Sequence, residues 1–223
     1  MENLMDKKKN LTEKEAFALA LQHHQKNNLK VAENLYREIL KINPNHANAH
    51  NNLGIVLEQL GESKKAMICF QKAVQINPNF AHAYYNLGKV FYALNEIQKA
   101  INCFEKTIKI LPGNFDAYNN LGVALKELGE IKKAIGCYET AIRINPNYVN
   151  AYNNLGTILG ELNHLDDAKK YFEKSLNLNK NNKKTYEDYG NILLKLNKHY
   201  KALDYIRKGT GFIRFTQKDF KII

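Results

Sequence analysis

The sequence repeats itself every 34 residues, and that period constrains everything else. Ala49-His50-Asn51-Asn52-Leu53-Gly54 returns as Ala83-Tyr84-Tyr85-Asn86-Leu87-Gly88, as Ala117-Tyr118-Asn119-Asn120-Leu121-Gly122 and as Ala151-Tyr152-Asn153-Asn154-Leu155-Gly156. The chain's four prolines, Pro44, Pro78, Pro112 and Pro146, keep the same spacing. Unrelated residue types sharing one period mean that a small unit of structure has been copied along the chain. Such units bury their apolar faces against their neighbours rather than within themselves.

The period sets units at 13–46, 47–80, 81–114, 115–148, 149–182 and 183–216, the last incomplete, each numbered by positions 1 to 34. Apolar residues within a unit fall at helical spacing: Tyr118, Leu121, Leu125 and Leu128, then Ile131, Ile135, Tyr138, Ala141 and Ile142. Position 15, between the two helical stretches, is Asn27, Gly61, Asn95, Gly129, Asn163 and Asn197. Those residue types end a helix cheaply in a left-handed conformation. Position 8 is Gly54, Gly88, Gly122, Gly156 and Gly190, and position 20 is alanine throughout, from Ala32 to Ala202. Small residues there let two helices approach to about 8–10 Å. Position 24 supplies bulk with Tyr36, Phe70, Phe104, Tyr138, Phe172 and Ile206. The proline then stops the second helix.

These residues resemble the tetratricopeptide repeat, whose pattern is an aromatic, x2, Leu-Gly, x2, Tyr, then Ala-x3-Phe, then Pro. The match covers roughly residues 13–206 and is closest in units two to four. Unit five has Lys180 and unit six Arg214 in place of the proline. The resemblance implies an all-α fold, a right-handed α-solenoid of about six helix-turn-helix units with a concave groove. The expected organisation is a polar segment 1–12, a solenoid over 13–208 and a non-repeat tail over 209–223. The implied function is a protein–protein interaction scaffold that takes an extended peptide or a helix in its groove. The alternative is a targeting or regulatory module for a transferase-type or other catalytic partner. Neither reading makes the chain an enzyme.

The candidate groove residues are led by asparagines. Position 6 carries Asn52, Asn86, Asn120 and Asn154, continued by Asp188, and position 5 adds Asn51, Asn119 and Asn153. An amide offers donors and an acceptor together, so a column of amides can hold a peptide backbone without reading its sequence. The column resembles the asparagine ladder in the repeat domain of O-linked N-acetylglucosamine transferases. Against that reading stands an Asn-rich composition, 30 residues in all, which would place asparagines here without any role in binding. His82, Tyr85, Lys89 and Tyr92 add aromatic and cationic anchors on the same face. No unit has Lys at position 5, which argues against the clamp that grips acidic chaperone tails in one branch of the family.

The remaining chemistry is sparse. Cys69, Cys103 and Cys137 share position 23, so they form a row one repeat apart, too distant for disulfides and too few for a structural zinc site. His23-His24 and His46/His50 have no carboxylate partner set for a metal. Seven of the twelve glycines are already used at positions 8 and 15, leaving no phosphate loop. The sequence thus calls for no cofactor, no metal and no catalytic residue. Thirty-three basic residues outweigh 22 acidic ones, and ten of the basic against four of the acidic lie in 183–223. That basic end mixes its charges and has no recognised stacking module, which disfavours nucleic acid as a partner. The opening residues contain no apolar stretch and no run of about 18 apolar residues follows, so neither a secretory signal nor a membrane partner is expected. A cytoplasmic location is the expectation, and arrays of this kind also self-associate. Past Arg207 the pattern fails, and Phe212, Phe215 and Phe220 give a tail that reads as a cap or as a docking strand.

Overall fold

A computed structural model describes residues 12–211. Among them run twelve α-helices: α1 (Glu13–Gln25), α2 (Leu29–Ile42), α3 (Ala47–Gln59), α4 (Ser63–Ile76), α5 (Ala81–Ala93), α6 (Ile97–Ile110), α7 (Phe115–Glu127), α8 (Ile131–Ile144), α9 (Val149–Glu161), α10 (Leu165–Leu178), α11 (Lys183–Lys195) and α12 (His199–Thr210). Odd and even helices pair as six hairpins. They fall into two compact units, one ending at Pro112 and the other starting at Gly113.

Each hairpin turns where the sequence places a residue able to adopt positive φ. Asn27, Asn95, Asn163 and Asn197 lie at φ 57 to 63°, and Gly61 and Gly129 at 78° and 76°. The small residue at position 8 meets the large one at position 24. A Cβ on Gly122 would sit 2.6 Å from a ring carbon of Tyr138, and one on Gly54 equally close to Phe70. Tyr36, Phe70, Phe104, Tyr138 and Phe172 are all fully enclosed at these contacts.

Proline is not the whole stop signal. Helix α10 ends at the same position as its counterparts although Lys180 replaces the proline. The reason is the preceding asparagine. Asn43, Asn77, Asn145 and Asn179 each accept a hydrogen bond from the backbone N–H two residues on, at 3.0–3.1 Å. That side-chain turn competes with helical bonding. Leu111 cannot make it, and there Pro112 acts alone.

In the second unit the core gathers Ala168, Phe172, Leu176, Tyr189, Ile192, Leu193 and Ala202. Tyr189 stands where other repeats have leucine, and its buried hydroxyl donates to Glu173 Oε1 at 2.6 Å. Burial first, then this carboxylate, pushes the phenol far up. Gly209 lies inside α12 and brings it onto α11: a Cβ there would be 2.8 Å from the backbone of Lys183 and Glu187. The helix therefore continues past Arg207 to Thr210. The remainder of the expected tail, with Phe212, Phe215 and Phe220, lies outside the described residues, as do residues 1–11 of the expected polar segment.

Candidate functional site

Helices α3 and α5 in the first unit, and α7 and α9 in the second, carry the asparagines, and α11 continues the column with Asp188. Position 5 turns inward and position 6 sits at the rim. Asn51 and Asn119 are each only 5% exposed. Asn51 Nδ2 donates to Asn52 Oδ1 at 3.1 Å, and Asn51 Oδ1 accepts from Asn86 Nδ2 at 3.1 Å. The second unit repeats the arrangement: Asn119 Nδ2 donates to Asn120 Oδ1 at 3.2 Å and Asn119 Oδ1 accepts from Asn154 Nδ2 at 2.8 Å. These amides were expected to face a guest. The structure instead makes Asn51 and Asn119 a clasp joining one repeat to the next, because a buried amide must satisfy its donors and acceptor. Asn52, Asn86, Asn120 and Asn154 stay half-buried at the rim.

The clasp links residues 35 apart, one more than the repeat. The same offset recurs at the far end of these helices. His24 Nε2 lies 3.1 Å from Gln59 Oε1, Lys126 Nζ donates to Glu161 Oε1 at 2.7 Å, and Lys195 Nζ donates to the Gly160 carbonyl at 3.1 Å. Lys89, half-buried, pairs with Glu58 at 3.5 Å. Tyr85 packs on Phe104 with ring centroids 6.1 Å apart. Tyr92 is half-buried and His82 exposed, so all four predicted anchors lie on α5.

The last step departs from this pattern. At position 6 of the final repeat stands Asp188, a carboxylate with no N–H to donate. Asn153 therefore has no amide above it to accept from. Its Oδ1 instead accepts from Ser175 Oγ at 2.6 Å and Thr185 Oγ1 at 2.8 Å, both fully buried hydroxyls. Asp188 Oδ1 takes a hydrogen bond from Lys184 Nζ at 2.9 Å. Around this step opens a cavity of about 500 Å³, lined by Asn119, Asn150, Asn153, Asn154, Thr157, Asn182, Lys184 and Asp188. Sequence reasoning put Asn119, Asn153 and Asn154 among its site residues but left out Asn150, Thr157 and Asn182. It also missed Ser175 and Thr185. Thr185 carried a signal, since alanine fills its position in Ala49, Ala83, Ala117 and Ala151; Ser175 carried less, since its position holds Ala73 and Ala141 but also Thr107.

The histidines and cysteines have structural places. His46 Nδ1 accepts from Ala49 N at 3.2 Å and caps α3. Burial pushes the Cys69 and Cys103 thiols up to about 11, so they are poor nucleophiles. Among the described residues no helix is long and apolar enough to cross a membrane.

Six hairpins with small residues at their crossings and clasps between neighbours define a helical-repeat protein. Tetratricopeptide-repeat profiles match residues 47–80 and 115–148, and also 69–102 and 137–170, and a TPR-repeat profile matches 88–129. The crystal structure of MamA is similar at 30% identity, covering 72% of this chain and 94% of that one, with a TM-score of 0.68. PilF of Pseudomonas aeruginosa shares the fold at 20% identity, with 86% and 88% coverage and a TM-score of 0.77. YrrB, described as a TPR protein with an unusual peptide-binding site, shares it at 23% identity, with 79% and 91% coverage and a TM-score of 0.64. No curated protein matches. The chain belongs to the tetratricopeptide-repeat family and has its α-solenoid fold. Members typically act as interaction scaffolds without chemistry of their own.

Proposed function

We propose that this scaffold binds an extended segment of another protein along the odd-numbered helices of its second unit, α7, α9 and α11. The observation that carries the reading is the amide-lined cavity between α7, α9 and α11. Asn150 and Thr157 line it, and their side chains make no hydrogen bond among the described residues. Asn154 commits its Nδ2 to Asn119 and keeps its Oδ1 for a guest. Asn153 commits its Oδ1 and keeps its Nδ2. Together they present donor and acceptor as a peptide group requires. The first unit offers candidate contacts of its own on α3 and α5: Asn52, Asn86, His82, Tyr85, Lys89 and Tyr92. No cysteine forms a disulfide among the described residues, which suits a reducing compartment, and we place the chain in the cytoplasm on that ground.

The test uses the full chain to select peptides from a random display library, followed by titration of the selected peptides. Asn150→Ala with Thr157→Ala should weaken binding about tenfold and leave the melting temperature unchanged, since neither side chain holds the fold. Equal affinity for the double variant and the parent would remove the cavity from the interaction.

A further inference from the structure

The cavity's two walls differ in charge as well as in hydrogen bonding. On α9 it presents neutral amides and a hydroxyl. On α11 it presents an ion pair whose two members are held unequally. The Asp188 side chain is 19% exposed and fixed on the cavity wall, whereas that of Lys184 is 70% exposed and carried on a long stem. Glu187, one residue from Asp188, acts on the same ammonium. Asp188 is the one carboxylate and Lys184 the one ammonium that line the cavity. Asp188 Oδ2 makes no hydrogen bond among the described residues, and Asn154 Oδ1 and the Thr157 hydroxyl add acceptors to the same cavity.

We propose that the α11 end of the cavity is a subsite for a basic side chain of the bound segment, arginine or lysine, with Lys184 as a built-in occupant that the guest displaces. The inference rests on the groove reading above and names what that groove selects. Lys184 can move into water at little cost, because an exposed ion pair contributes little. A guanidinium arriving in its place meets Asp188 with several fixed donors, and Asn154 and Thr157 accept the remainder. An acidic guest fares worse. It would compete with Asp188 for a single ammonium and bring a second carboxylate beside it. The buried Ser175–Asn153–Thr185 network keeps the opposite wall in place, so the guest orders little of the site on arrival.

The experiment titrates the full chain with Nα-acetyl-arginine N-methylamide and with its glutamine and glutamate counterparts, following amide and methyl resonances. The arginine probe should bind about three- to tenfold more tightly than the glutamine probe and lose that margin at high salt. Asp188→Asn installs the residue found at this position in four other repeats, so it keeps the fold, and it should erase the margin. Lys184→Ala removes the competitor and should tighten the arginine probe about two- to threefold. Tighter binding of the glutamate probe, weaker arginine binding in Lys184→Ala, a margin that survives Asp188→Asn, or no response to the arginine probe would each overturn the proposal. Equal binding of the arginine and glutamine probes with shifts at Asn150 would sink the basic subsite and leave the groove reading standing. Loss of selected-peptide binding to the cavity, by contrast, would sink the groove reading itself.

Discussion

Two steps of the amide column, one in each unit, are closed; the step at Asp188 is open. In the closed steps Asn51 and Asn119 spend both ends of their amides on neighbouring asparagines. In the open step a carboxylate replaces the donor, and Asn153 turns its oxygen to two buried hydroxyls. The same residue type at the same repeat position therefore does two jobs. A closed step joins repeats and has little left for a guest. The open step anchors one end of its amide in the core and leaves the other facing a cavity. What separates them is one atom exchanged at position 6, together with the paired hydroxyls of Ser175 and Thr185 that converge on Asn153.

The largest effect that could break this comparison falls on the open step. Asn153→Ala takes the acceptor from Ser175 Oγ and Thr185 Oγ1, which are fully buried and keep only the 3.4 Å hydrogen bond between them. One hydroxyl proton is then left without an acceptor, and an orphaned buried donor costs about 1–3 kcal/mol, so the variant should lose about that much in urea melts. Adding Ser175→Ala and Thr185→Ala to it should recover most of that loss, because no orphan remains. A single variant as stable as the parent would mean that the network holds nothing in place.

Next comes the closed step. Asn119→Ala removes one hydrogen bond between repeats and one to its neighbour Asn120, and should cost about 1–2 kcal/mol. Asn150→Ala, on the exposed rim of the same cavity, should change stability by less than about 0.5 kcal/mol. Equal costs for the two would erase the distinction between clasp and rim on which the comparison depends.

The sequence made the closed and open steps look alike, and the reason is geometric. The period, the small residues at position 8 and the turn residues at position 15 act within one hairpin, so one hairpin's pattern reveals them. Gly122 against Tyr138 and Asn95 at φ 61° are such cases. The roles of positions 5 and 6 depend on the stagger between neighbouring hairpins, which sets partners 35 residues apart rather than 34. No periodicity within a helix encodes that offset. Position 5 therefore read as a groove residue when Asn51 and Asn119 are interior clasps. Thr185 was different: a polar residue at a position that four other repeats fill with alanine was readable, and only its convergence with Ser175 on Asn153 needed the fold.

The smallest effect concerns the ion pair, and it decides whether neutral-pH binding can be read cleanly. The Asp188 hydrogen bond raises the Lys184 pKa above the ordinary lysine value of 10.5, against a weaker opposing effect of burial and with help from the Asp188 and Glu187 charges. A raised value in the folded chain means that the charged form is favoured by folding. The stabilisation is then complete below the unfolded lysine's titration and is lost as pH rises through the folded value. Because the Lys184 side chain is 70% exposed, solvent screening limits it to about 0.5 kcal/mol or less. Comparing the parent with Lys184→Gln should give that small, constant difference from pH 7 to about 10, and a shrinking one beyond. A difference that instead grew with alkaline pH would mean Lys184 is not held by Asp188, and the unequal pair that marks the open step would have to be redrawn.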